Sequence, residues 1–111
     1  MLKKANRIGK NKEFDRAFKL GQSFYGNFLG IKVVDNGLDR IRLGVLVSNK
    51  VSKKAPIRNL IKRRIRECVR ENILEAKGGK DIVVIANPTI LEKTFEEIRG
   101  FIKITLKKAK L

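Results

Sequence analysis

The sequence predicts an α/β (α+β) two-layer sandwich, with helices packed on one small, mainly antiparallel sheet in the order α-β-β-α-β-α. Three observations predict it. Apolar residues recur at helical spacing in three segments, 11–20, 57–76 and 89–106. Two-residue alternation or a short continuous apolar run marks three others, 24–34, 41–48 and 81–86. Gly, Pro, Asn and Asp punctuate the joins between them.

The first ten residues, MLKKANRIGK, are basic with little apolar periodicity and read as an arm preceding a single domain over 11–111. Asn11 is placed to cap the first helix, whose apolar positions are Phe14, Ala17, Phe18 and Leu20, and Gly21 closes it. In the next segment Leu29, Ile31 and Val33 alternate with Phe28, Gly30 and Lys32, and Asp35, Asn36 and Gly37 supply turn chemistry. Ile41 to Ser48 (IRLGVLVS) is a second extended run, expected to pair with the first as an antiparallel neighbour. Pro56 sits where a first-turn helix residue belongs, and Gly78 and Gly79 stop the long helix that follows. The run DIVVIA at 81–86 suits a strand buried on both faces. Thr89 is placed to cap a final helix through Leu91, Phe95, Ile98, Ile102 and Leu106, ending in a basic KKAK tail.

Composition narrows the function. The 111 residues include 27 Lys and Arg against 11 Asp and Glu, a net charge of +16, so the expected partner is a polyanion. Apolar residues make up 42% of the chain, enough for a core. With no His and the single Cys68, neither a disulfide framework nor a zinc site of ordinary composition is available. The missing His also removes the commonest general base. Charge interrupts every apolar run before about 18 residues, so no membrane span is expected, and the fitting compartment is the reducing cytoplasm.

The long helix carries the sharpest signal. Residues 50–70 hold nine Lys or Arg and one acid, Glu67. At about 100° per residue, Ile57, Ile61, Ile65 and Cys68 fall on one side, flanked by Leu60 and Val69. Arg58, Asn59, Lys62, Arg63, Arg66 and Arg70 fall on the other. A solvated face normally mixes signs, because like charges at i and i+4 repel by a few tenths of a kcal/mol. Arg58, Lys62 and Arg66 stack at that spacing with no acid among them, a penalty that bound phosphates cancel. Arg64 falls near the apolar side and is expected to reach Glu67 or Glu71, while Cys68 reads as a small core residue.

The stretch KKAPIRNLIKRRIRE (Lys53 to Glu67), following LGVLVSNK, resembles the signature of the bacterial ribonuclease P protein subunit, and the order of elements, the basic arm and the aromatics Phe14 and Phe18 extend the resemblance over nearly the whole chain. It implies a left-handed βαβ crossover. It also implies that the chain binds the catalytic RNA, ribonuclease P RNA, through Lys53, Lys54, Arg58, Asn59, Lys62, Arg63, Arg66 and Arg70. A cleft between the first helix and the sheet would receive the single-stranded 5′ leader of precursor tRNA, with Phe14, Phe18, Lys32, Arg42 and Lys50 as contacts. The RNA, with Mg²⁺ held mainly by it, would carry out phosphodiester cleavage, so no catalytic residue is assigned to the chain. Two positions depart from the family pattern: Leu60 stands where Arg is frequent, and Lys32 stands where a strand aromatic is frequent, unless an alignment gap places Phe28 or Tyr25 there instead.

From periodicity alone, Phe14 and Phe18, one turn apart, are better placed as core; the resemblance shifts them to a partly exposed cleft. Leader sequences differ, and a groove built on charge and stacking tolerates that. Another small basic RNA-binding protein, such as a ribosomal protein, is the chief rival. A stand-alone nuclease and a DNA-compacting protein are weaker, since the acids form no metal-binding cluster along the sequence and the Arg58-Asn59…Lys62-Arg63 spacing is specific.

Overall fold

A computed structural model describes residues 7–73 and 78–109 of the chain. Most of the N-terminal arm, the end of the long helical pattern and the last residues of the basic tail lie outside the described residues. The elements run α1 (Asn11–Leu20), β1 (Gln22–Tyr25), β2 (Leu29–Asp35), β3 (Arg42–Leu46), α2 (Ala55–Ile73), β4 (Lys80–Ala86), a 3₁₀ helix (Pro88–Glu92) and α3 (Phe95–Lys108).

The four strands form one mixed sheet in the order β1-β2-β4-β3. β1 pairs with β2 and β2 with β4, both antiparallel, while β3 and β4 are parallel and joined through α2. The expected β2–β3 pairing is therefore overturned, because β4 lies between them. DIVVIA is the most continuously apolar strand and is buried along nearly its whole length, which places it at the centre. The segment expected as one strand over 24–34 is a hairpin. Gly26 and Asn27 break it, and Gly26 has a second reason to be glycine, since a Cβ there would lie 2.5 Å from the Phe101 ring. Gly37 takes φ +70° in the turn after β2, as the Asp-Asn-Gly signal predicts.

Helix ends depart from expectation in an instructive way. Lys10, not Asn11, is the N-cap of α1, and Glu13 folds back so that its Oε1 accepts from the Gly9 and Lys10 N–H groups (3.2 and 3.1 Å). Thr94, not Thr89, caps α3 in a reciprocal pair with Glu97 (3.1 Å each way). Thr89 lies in the 3₁₀ helix and donates to the Asn27 carbonyl at 2.6 Å. Pro56 is the second residue of α2, where its missing N–H costs nothing.

The main core lies on one face of the sheet. Leu29, Ile31, Leu43, Val45, Ile82 and Val84 meet Ile61, Ile65, Cys68 and Val69 of α2 and Ile98, Ile102 and Leu106 of α3. Burial pushes the Cys68 thiol up to about 11, in keeping with a packing role. Arg64 differs from expectation: its guanidinium carbon lies 5.6 Å from the Phe95 ring centre, and Glu71 pairs with Arg99 at 3.2 Å. The opposite face has only a small cluster of Ile8, Ala17, Val34 and Val83, with Phe14 and Ile85 against it. Ile8 is buried and donates its N–H to Leu43 O at 3.0 Å, so the end of the expected arm is tied to the edge of β3.

Candidate nucleic-acid interface

Two surfaces carry the expected site residues. The first is the outer side of α2, where the apolar stripe turned to the core leaves the cations outward. Asn59, Lys62, Arg63, Arg66 and Glu67 line a concavity of about 510 Å³. Among the described residues, no carboxylate pairs with Arg58, Lys62, Arg63 or Arg66. Arg58 donates instead to the Ser52 carbonyl at 2.9 Å, bracing the loop that leads into the helix. Burial and the nearby Arg7 guanidinium both push the Arg66 pKa down, the strain expected of cations gathered without a counter-ion. Lys53 and Lys54 stand exposed just before the helix.

Arg70 differs from the other cations of this face: its guanidinium grips both oxygens of Glu67 (2.8 and 3.1 Å), one turn away, in a pair that stays solvent-exposed at 40% and 43%. Leu60, flanking the apolar stripe, is 40% exposed and offers no polar contact.

The second surface is the thinly covered sheet face. Cross-strand partners share a face, so the register lays its side chains in ranks. One rank is Val34–Asp81–Arg42, the next Ser23–Lys32–Val83–Gly44, and the last Tyr25–Gly30–Ile85–Leu46. Helix α1 covers the first two, through Glu13 on Arg42, Ala17 within the small cluster, and the Phe14 ring over Gly44. A Cβ at residue 44 would lie 2.4 Å from that ring, so glycine sets the depth to which α1 settles. The last rank stays open, with Tyr25 73% and Leu46 36% exposed. Phe18, at 39%, borders it from α1.

Lys32 stands between these aromatics, its ammonium 5.9 Å from the Phe18 ring centre and 5.4 Å from that of Tyr25. It donates to Ser23 Oγ at 2.7 Å and to the Tyr25 hydroxyl at 3.1 Å. Hydrogen bonding to Tyr25 by the Lys32 ammonium, foremost, and by the Ser23 hydroxyl pulls its phenol below the ordinary range. Of the two aromatics that the sequence offers in place of Lys32, Tyr25 lies beside it on β1, while Phe28 packs with Phe101 against the main core.

Of the other expected cleft residues, Phe14 is half-buried and serves packing more than display. Lys50 is exposed in the loop after β3, beyond the open rank. Arg42 is a correction. Asp81, 1% exposed, accepts from Arg42 Nε at 2.8 Å and Nη2 at 2.7 Å, while Arg42 Nη1 meets Glu13 at 2.6 Å. This guanidinium locks α1, β3 and β4 together and is not available to a leader phosphate.

Among the described residues, no three Asp, Glu or Cys side chains converge into a group able to hold a metal ion, and no helix is long and apolar enough to cross a membrane. A family model for ribonuclease P matches residues 2–110. A ribonuclease P protein component from Clostridium kluyveri is 42% identical over 107 residues, covering 95% of each sequence. The solved ribonuclease P protein of Staphylococcus aureus has a TM-score of 0.84 at 37% identity, over 96% of this chain and 97% of that one. That of Thermotoga maritima gives 0.74 at 32%, over 87% and 94%. Sequence and fold agree over almost the whole length: the chain belongs to the ribonuclease P protein family, the protein subunit of the ribonucleoprotein that matures the 5′ ends of tRNA.

Proposed function

We propose that residues 11–111 act as a single RNA-binding domain that grips the catalytic RNA along the outer side of α2 and receives the single-stranded leader of precursor tRNA in the cleft between α1 and the open sheet rank. The observation that carries this reading is the set of Arg58, Lys62, Arg63 and Arg66 on one helix face without a carboxylate partner among the described residues. Such a face repels itself until phosphates arrive, and releasing their counterions drives binding. The cleft adds exposed rings and the Lys32 ammonium, which suit bases and phosphates of any sequence.

In this reading Mg²⁺ is held mainly by the RNA, and the chain's share is to screen repulsion between two polyanions. A single buried thiol suits the reducing cytoplasm. The test is reconstitution: purified protein mixed with a bacterial ribonuclease P RNA at low Mg²⁺, with cleavage of precursor tRNA followed. Stimulation above RNA alone supports the reading. No stimulation, or cleavage by the protein alone, overturns it.

A further inference from the structure

Residues 7–10 touch both faces of the sheet. Arg7 is the parallel bridge partner of Leu43, and Ile8 donates its N–H to the Leu43 carbonyl at 3.0 Å. Bridge partners share a face. Leu43 belongs to the core beneath α2, so the Arg7 side chain is turned to the α2 side of the β3 edge. Ile8 is buried on the opposite side, with Ala17 of α1. Gly9 and Lys10 extend this hold on α1: both N–H groups donate to Glu13 Oε1, and Glu13 Oε2 meets Arg42 at 2.6 Å. The segment is thus a strap between the cationic helix and the helix that borders the cleft.

The Arg7 end of this strap is electrostatically unfinished. Arg7 is half-buried, and its Nε, shut off from solvent, has no hydrogen-bond partner among the described residues. Burial first, and then the neighbouring Arg7 charge, hold the Arg66 pKa down, so two guanidiniums stand close together across the gap from strap to helix. A buried donor without an acceptor is costly, and like charges side by side add repulsion. One phosphate between them removes both penalties, because its oxygens accept from several guanidinium N–H groups at once.

We infer that Arg7 and Arg66 clasp one phosphate of the catalytic RNA, and that this clasp tightens the strap and with it the seating of α1 over the sheet. The inference rests on the two-surface reading above. RNA held on α2 then favours leader binding on the other side of the sheet, and the leader favours RNA by the same factor, since coupling between two sites is reciprocal. The route is contiguous. It runs from the phosphate to Arg7, through the Ile8 bond to β3 and the Gly9 and Lys10 bonds to Glu13, and into α1, whose Phe18 borders the open rank.

The test uses the full chain as wild type, Arg7→Met, Arg66→Met and the double variant, with a bacterial ribonuclease P RNA. Met keeps the stem and removes the guanidinium. Arg7→Met is expected to leave the Tm of the free chain unchanged or to raise it at low salt, yet to weaken RNA binding by about 10- to 100-fold. A fall in Tm gives Arg7 a structural role and overturns the clasp. The double variant is expected to lose less than the product of the two single losses; losses that multiply overturn a shared phosphate. Coupling is read in holoenzyme at saturating protein, as the ratio of affinities for leader-bearing and mature tRNA. Arg7→Met is expected to lower that ratio by about fivefold or more, although the Arg7 side chain lies on the other side of the sheet from the cleft. Lys53→Ala, in the loop before α2, is expected to weaken RNA binding and leave the ratio as it is. An unchanged ratio for Arg7→Met overturns the coupling, and so does an equal fall with Lys53→Ala, which traces the loss to the RNA grip in general. A wild-type ratio of one overturns the leader reading itself, and the coupling with it.

Discussion

Replacing Arg42 by Met separates two roles that the sequence alone leaves open. Met keeps the length of the stem but removes the guanidinium from Asp81 and Glu13, whose side chains are 1% and 19% exposed. Asp81 then keeps one side-chain partner among the described residues, the Asn36 amide at 2.9 Å, and remains a charge without a counter-charge beneath α1. Removing one member of a buried pair costs about 3–5 kcal/mol, since the survivor stays desolvated. At about 4 °C per kcal/mol for a domain of this size, that is a fall in Tm of roughly 12–20 °C. Thermal unfolding followed by circular dichroism at neutral pH measures it directly. The paired variant Arg42→Met with Asp81→Leu removes both charges and is expected to recover part of the loss. If Arg42→Met lowers stability by less than about 1 kcal/mol, the range of exposed pairs, the locking role is refuted. Weaker leader binding at unchanged stability would then restore Arg42 as a phosphate contact.

Three further outcomes follow from the geometry. Burial raises the Glu13 pKa, but the Lys10 and Gly9 N–H groups and the Arg42 guanidinium outweigh it and hold the carboxyl below its ordinary value. Its contribution is therefore present above the unfolded pKa and lost as pH falls below about 4, so the stability gap between wild type and Glu13→Gln in urea titrations should close on acidification; a gap independent of pH contradicts this. Lys62→Ala with Arg63→Ala should flatten the salt dependence of binding to the catalytic RNA by about 1.5–2 units of log–log slope, with stability unchanged within about 0.5 kcal/mol; an unchanged slope removes α2 as the phosphate contact. Phe18→Ala should weaken leader-bearing tRNA more than mature tRNA, whereas a large loss of Tm would place this 39% exposed ring in the core.

Legibility followed the range of the interaction. The α2 stripe was readable because helical periodicity is local: Ile61, Ile65 and Cys68 are buried together, while Asn59 and Arg63 are exposed. The pairing of Arg70 with Glu67, only three residues away, was not legible, because a helical wheel shows the face but not which rotamer a guanidinium adopts. The caps shifted from Asn11 to Lys10 and from Thr89 to Thr94, since several polar residues compete near each helix start and the chain path selects one. The β2–β3 pairing was missed because strand order depends on which strand most needs burial on both faces, and that is settled only when all four compete.

The sequence by itself determined the number and type of most elements, the cationic side of α2, the absence of His chemistry and the family. These depend on composition and on neighbours within a turn or two. Only the tertiary structure decided which cations remain available. Asp81 lies 39 residues from Arg42, and Glu13 lies 29, yet they meet around one guanidinium and remove it from the cleft. The same folding brings Tyr25 of an edge strand beside Lys32, so an aromatic surface arises from strand register where the linear sequence offers a lysine. Charge belongs to a residue, but its availability depends on the contacts that folding makes around it.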